Sequence, residues 1–299
     1  MTETSTRPGP LRETLTYFWW FYTPFSRMSA SDIYDLVFTN SYSENGLYLN
    51  LGYWKNAANI DEACQGMATL LAETGELGPE HDLLDVGFGF ADQDMYWLER
   101  FGPRSITGIN ITKSQVELAR KRVADRGMSD RIDLREGSAT EMPFEANRFD
   151  RVFALESAFH FHPRERFFAE ALRVLRPGGR IVLADMARMP PAGGMMQRMN
   201  QKNTWHFYSM KYDVPKENAD DVHSYARKME AAGFVNVRAE SIREHVFGPL
   251  HRYMAREPKF LERWHPPARF PYKIALKFDA DKVYSAYDYL LAVGEKPKA

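Results

Sequence analysis

Between positions 83 and 185 short β-rich apolar runs alternate with longer stretches in which apolar residues recur every three or four places, the rhythm of a parallel sheet built from βα units. The runs at 83–86, 105–109, 131–135, 151–155 and 181–184 predict five strands. Between them the spacing predicts helices over 114–124 and 164–175, the second closing on the stop signal Pro177-Gly178-Gly179. After Asp185 the pattern loosens into a Pro-, Gly- and Met-rich stretch, 186–199, and resumes as a helix over 220–232 ending at Gly233. A strand over 236–242, a proline- and aromatic-rich stretch over 249–277 and a closing strand over 289–293 complete the pattern.

The expected architecture is therefore α/β, a doubly wound Rossmann-like mixed sheet with an N-terminal helical segment and inserted lid elements. We set the cap at 1–75, the main domain at 76–299 and the insertions at about 186–216 and 249–283. The most aromatic run, 17–25 (YFWWFYTPF), is about half as long as a bilayer-spanning helix and carries Pro24. It reads as a helix packed on the core or over a site, with contact at a membrane interface as the alternative. Arg120, Lys121 and Arg122 read as a solvated helix face.

With 39 basic against 40 acidic residues the chain offers no general attraction to a polyanion, so no nucleic-acid partner is expected. The one cysteine, Cys64, cannot form an internal disulfide, and no secretory signal is visible, which points to a reducing cytoplasm. No metal site is expected. A homodimer is the expected oligomer, although no residue carries that expectation.

The chemistry starts at Leu84-Asp85-Val86-Gly87-Phe88-Gly89-Phe90-Ala91, which puts two glycines directly after a buried strand, where the backbone turns sharply and a ligand can approach. A dinucleotide fingerprint needs a third small residue at position 92, where Asp92 stands, and no acid ends the second strand to hold a ribose. A P-loop is excluded because no Lys-Ser or Lys-Thr follows.

These residues resemble the class I methyltransferases. The acidic start at Asp85 fits their glycine motif, with Ala91 in place of its last glycine; Gly108-Ile109-Asn110, Ser114-Gln115, Gly137-Ser138-Ala139 and Leu175-Arg176-Pro177-Gly178-Gly179 follow in the family's order. With Leu49-Asn50-Leu51-Gly52-Tyr53-Trp54 and Leu155-Glu156-Ser157-Ala158-Phe159-His160, the chain is similar over most of its length to natural-product O-methyltransferases of macrolide and glycoside biosynthesis. The resemblance implies S-adenosylmethionine as cofactor. It implies that Gly87 and Gly89 let the backbone approach the methionine part, with Gln93 near its carboxylate. Asn110, helped by Gln115, would hold the ribose; Ile111 would pack on adenine, Ser138 and Ala139 would meet its edge, and Leu155 would close the pocket. Tyr53 would cover the reacting methyl group. Ile111 and Leu155 read equally as core residues, and Tyr53-Trp54 equally as a pin for the N-terminal segment.

A hydroxyl is a poor nucleophile while protonated, so transfer to oxygen gains from a base near neutral pKa. His160 follows the fourth strand and Asp185 ends the fifth, on the sheet edge where doubly wound folds bind ligands, so they are expected to form a base with its orienting carboxylate. His162 is the alternative base, and Glu156 reads as structural. The expected acceptor is a small hydrophobic molecule, a polyketide, macrolide or its sugar, with Trp19, Trp20, Trp205, Phe207, Tyr208 and Trp264 as candidate wall residues. Two other readings stand: a C-methyltransferase acting on an isoprenoid, sterol or lipid alkene, and a non-catalytic scaffold that binds the cofactor.

Overall fold

In a computed structural model the described residues are 10–23, 26–37 and 43–298; Pro24, within the expected aromatic run, lies outside them. Seven strands, β1 (Asp82–Val86), β2 (Ser105–Asn110), β3 (Ile132–Glu136), β4 (Phe149–Leu155), β5 (Leu175–Arg188), β6 (Val235–Ser241) and β7 (Tyr287–Glu295), form one sheet in the order β3-β2-β1-β4-β5-β7-β6. All pairs from β3 to β5 are parallel, whereas β7 runs antiparallel to both β5 and β6. The sheet is therefore mixed, and its strand order reverses at β1/β4, the place where open α/β sheets bind ligands.

The apolar runs were legible because the central strands bury both faces. In β5, Val182, Ala184 and Met186 join one core while Ile181, Leu183 and Ala187 join the other, and β4 and β7 divide their residues in the same alternating way. One difference concerns β5, expected over 181–184. It starts at Leu175 because Pro177-Gly178-Gly179 is absorbed as a bulge: Phe149 pairs with Leu175 and Arg151 already with Arg180. It runs on to Arg188 because β7 supplies partners as far as Tyr287.

Helices occupy both faces and the top. They are α1 (Pro10–Tyr22), α2 (Ala30–Val37), α3 (Ile60–Thr74), α4 (Asp92–Phe101), α5 (Lys113–Asp125), α6 (Arg164–Val174), α7 (Met195–Lys211) and α8 (Val222–Ala231), then α9 (Phe247–Arg256), α10 (Pro258–Glu262), α11 (Pro266–Ala275) and α12 (Ala280–Val283). The loosened stretch after Asp185 thus contains a helix, α7, whose Met195, Met196 and Met199 face solvent and hide the expected amphipathic stripe. Within 1–75, α3 packs on the sheet layer through Met67, Ala68 and Leu71, while α1 and α2 pack elsewhere. Tyr17, Trp20, Ile33 and Leu36 form a small core of their own with Ala268 of α11, so the two ends of the chain together roof the sheet. Lys211, fully buried at the end of α7, fixes that roof by donating to the carbonyls of Trp20 and Thr23 at the C-terminus of α1.

The basic cluster on α5 is not simply a solvated face. Lys121 is exposed, but Arg120 donates to Leu134 O at 2.7 Å, and Arg122 clamps the carboxylate of Asp92 and the Phe90 carbonyl at the start of α4. The glycine turn is thereby tied to the next βα unit.

Below the roof a fully buried guanidinium joins the ends of β4 and β5. Arg164 donates to Asp220 at 2.7 Å and to Ala158 O at 3.1 Å, lies 3.7 Å from Asp185, and stacks 4.5 Å above the Tyr225 ring, whose hydroxyl donates to Asp185 at 3.0 Å. Removing one partner of such a cluster strands the rest in a low-dielectric interior. Arg164→Leu is expected to cost about 3–5 kcal/mol, read as a lower urea midpoint; a loss under about 1 kcal/mol would show that this cluster does not tie the strands together.

Candidate functional site

The site grows from the turn after β1. Gly87 has φ 89°, its N–H donates to Ile109 O at 2.8 Å, and a Cβ here would stand 2.4 Å from that of Ser157. Ser157, in turn, donates to Val86 O at 2.7 Å, so the segments after β1 and β4 are pressed together and only glycine fits between them. Gly89 is also left-handed, at φ 57°, and so is Ala91, at φ 62°, the position where the sequence lacks the motif's last glycine.

Around this turn lies a cavity of about 410 Å³ lined by Gly87, Gly89, Gln93, Asn110, Ile111, Gln115, Ser138, Ala139, Leu155 and His160, among others. The structure thus brings together ten of the thirteen residues singled out for cofactor or catalysis. Tyr53, Asp85 and Asp185 do not line it.

Each departure has a physical cause. The Tyr53 ring packs edge-on against His245 at 5.1 Å and its N–H is held by Ala63 O, so it serves as a pin; the tyrosine at the cavity is Tyr34, from α2. Asp85 lies wholly buried behind the turn, where it accepts from Gln93 Nε2 at 3.0 Å. Burial raises its carboxyl well above the usual range, and the nearby carboxyl of Asp94 is raised in turn by burial and by Asp85. Gln93 spends its second amide hydrogen on Phe88 O at 3.0 Å, so it faces the cavity with no donor to spare. Asp185 reaches the backbone N–H of Phe159 at 3.2 Å rather than the His160 ring, and it fixes the turn that carries the histidine. Burial raises Asp185 to about 6 despite the nearby Arg164.

The second-strand end is built for a hydroxylated ligand. Asn110 Nδ2 donates to Gln115 Oε1 at 2.9 Å and its Oδ1 accepts from Thr112 N at 3.1 Å, which leaves the buried Gln115 Nε2 without a partner at the cavity. Ile111 is 61% exposed, a bare apolar surface and not a core residue. An orphaned amide beside an uncovered apolar face fits a ribose next to an aromatic base.

His160 sits in a short turn after β4, and its Nε2 lies 3.1 Å from the Tyr34 hydroxyl. Burial lowers the imidazole to about 4, below the near-neutral value expected of the base and only partly offset by hydrogen bonding to the backbone of Asp213 and Tyr212, so the ring is neutral at pH 7. His162, the alternative base, stands at the outer wall beside Glu217 at 3.9 Å.

A second cavity of about 290 Å³ adjoins the first under the roof, and the two share Tyr34, Leu49, Asn50 and Glu156. Twelve of its 23 described lining residues are aromatic, among them Phe207, Tyr208 and Trp264 from the expected wall, and none of the 23 is Arg or Lys, so this chamber suits an apolar, uncharged occupant. Trp20 is instead core, Trp19 is exposed, and Trp205 packs in the sheet core. Two residues of the common wall were not singled out: Tyr34 lies on a short helix whose apolar spacing signals only burial, and Glu156 was read as structural. Glu156 does hold structure, accepting from Leu51 N and from Tyr289 Oη at 2.6 Å, but it also borders both chambers.

A methyltransferase-domain model matches residues 84–183, which contain the glycine turn and the cavity-lining ends of β2 and β4. Erythromycin 3''-O-methyltransferase of Saccharopolyspora erythraea is 40% identical over 217 residues, covering 71% of this chain and 70% of that protein. The 27-O-demethylrifamycin SV methyltransferase of Amycolatopsis mediterranei is 30% identical over 196 residues, 61% of this chain and 72% of its own. Among solved structures, geranyl diphosphate methyltransferase in complex with S-adenosylmethionine aligns with a TM-score of 0.62 at 18% identity, over 80% of this chain and 88% of that one, a likeness of fold alone. A ligand pocket at the β1/β4 reversal of a doubly wound sheet, joined to 40% identity over more than two thirds of both chains, shows that the chain belongs to the S-adenosylmethionine-dependent methyltransferases.

Proposed function

We propose that this enzyme methylates a hydroxyl of a hydrophobic natural product, a polyketide, macrolide or its sugar, with His160 as general base. The observation that carries the reading is the pair of chambers with one common wall: one at the glycine turn, and an aromatic one with no Arg or Lys among its described lining residues. The names of the two relatives, both methyltransferases of antibiotic molecules, support the acceptor class. The lack of Arg and Lys among the described residues of the aromatic chamber disfavours a diphosphate acceptor.

When bound, S-adenosylmethionine supplies a methyl group already made electrophilic by its sulfonium. Gly87 and Gly89 would admit it to the backbone, Gln115 Nε2 with Asn110 would meet the ribose, Ile111 would pack on the adenine, Ser138 and Ala139 would meet its edge, and Leu155 would close the pocket. Asp85 acts from behind, through Gln93, to keep the turn in shape. Tyr34 takes the covering role expected of Tyr53. The aromatic chamber and the roof of α1, α2 and α9–α12 exclude water and hold the acceptor oxygen in line. Neutral His160 receives the hydroxyl proton through Tyr34, whose Oη lies against Nε2 at 3.1 Å and which borders both chambers. Asp185 keeps the turn in register through Phe159 N–H and is a positioning residue.

His160→Ala is expected to lower kcat on the order of 10²-fold or more with the Kd for S-adenosylhomocysteine little changed, and Tyr34→Phe to lower kcat in the same direction. The check is steady-state kinetics alongside calorimetry on a panel of polyketide and glycoside acceptors; an unchanged kcat removes His160 from the mechanism.

Folding stability should also report the buried imidazole. With a folded pKa of about 4 against about 6.5 in the unfolded chain, the unfolded state binds the proton first, so this group's contribution is lost as pH falls from about 6.5 to about 4, on the order of 3 kcal/mol in all. Urea titrations of wild type and His160→Gln between those pH values should diverge in that sense, with wild type losing more at the acid end; parallel curves would refute a neutral buried His160.

A further inference from the structure

Glu156 carries more than its two structural bonds require. Its backbone is left-handed at φ 48°, a strained conformation for a residue with a side chain, and its N–H is held by Ala184 O at 2.8 Å, so the strain is imposed by the strand end. Leu51 N–H and the Tyr289 hydroxyl both donate to Oε1, whereas Oε2 has no hydrogen-bond partner among the described residues. The groups facing it are Tyr34, Tyr208, Tyr289, Cys64 and Asp185, none of them cationic. Burial raises its carboxyl to about 8, so at pH 7 it is neutral and can both donate and accept. Among the described residues of the aromatic chamber, the polar side chains besides tyrosine hydroxyls are Glu156, Asn50, whose Oδ1 is engaged by Gly52 N at 3.0 Å, and the indole of Trp264, so Glu156 is the only carboxyl there.

We propose that Glu156 selects the acceptor by hydrogen-bonding a second hydroxyl beside the one that is methylated, so that the preferred substrate is an apolar molecule bearing a vicinal diol, as on a sugar. The inference rests on the O-methyltransferase reading above. Tyr34 and Glu156 both line the two chambers, and the Glu156 carboxyl acts electrostatically on the Tyr34 hydroxyl, so in this arrangement a diol presents one oxygen to the Tyr34–His160 pair and the other to the carboxyl. A monodeoxy acceptor would leave the carboxyl without a partner in an apolar chamber, which is how a buried polar group turns a missing hydroxyl into discrimination.

The test uses the full chain with S-adenosylmethionine, a hydrophobic glycoside with a vicinal diol, and its monodeoxy analogue retaining the methylated hydroxyl. Wild type is expected to favour the diol by roughly 10- to 100-fold in kcat/KM. Glu156→Gln, which keeps the shape and can both donate and accept, should retain most of that preference, whereas Glu156→Met should bring the ratio near one. Equal use of both acceptors by wild type, or an undiminished preference in a folded Glu156→Met, overturns the proposal; if Glu156→Met does not fold, the wild-type ratio decides. Failure to methylate either glycoside or any other hydroxylated acceptor overturns the O-methyltransferase reading and this inference with it, whereas equal methylation of both glycosides overturns this inference alone.

Discussion

The site depends on a charge held out of water. Arg164, with no exposed surface, binds the carbonyl of Ala158 and the carboxylate of Asp220 while facing Asp185, and Asp185 in turn holds the N–H of Phe159. The backbone from 156 to 161 is therefore fixed from below by one guanidinium and from above by the close fit of Ser157 against Gly87. Without either constraint the ends of β1 and β4 could move apart, and the wall that separates and joins the chambers would lose its shape.

The fold was legible where periodicity and burial coincide. All seven strands lie where the apolar runs put them, because β1, β4, β5 and β7 are buried on both faces and leave near-continuous apolar segments in the chain. Where secondary structure is decided by partners rather than pattern, reading fell short. The Pro177-Gly178-Gly179 stop became a bulge because β4 lies beside it, and α7 was hidden by methionines that face solvent. Arg122 looked like surface charge because a sequence does not show that Asp92 begins the neighbouring helix within its reach.

The same distinction runs through the site. Residues placed directly by a strand end, such as Gly87, Asn110, Ser138 and His160, reach the cavity as the motif predicts, because the motif and the sheet edge are one fact. Residues delivered by tertiary packing were not: Tyr34 comes from α2, and the place expected for Tyr53 was lost when its ring found His245. Asp185 was expected beside the imidazole because both end neighbouring strands. The buried Arg164 and Tyr225 claim one of its oxygens, and Phe159 N–H claims the other.

The roof has a temporal side. Its small core joins Tyr17, Trp20 and Ile33 near the start of the chain to Ala268 near its end, and the sheet's own β7 arrives later still. During synthesis the aromatic first helix can pack early on Ile33 and Leu36 but must wait for Ala268 while more than two hundred residues emerge, which leaves part of its apolar face open to premature association. The glycine turn and the strands around it are made well before the chamber above them can close.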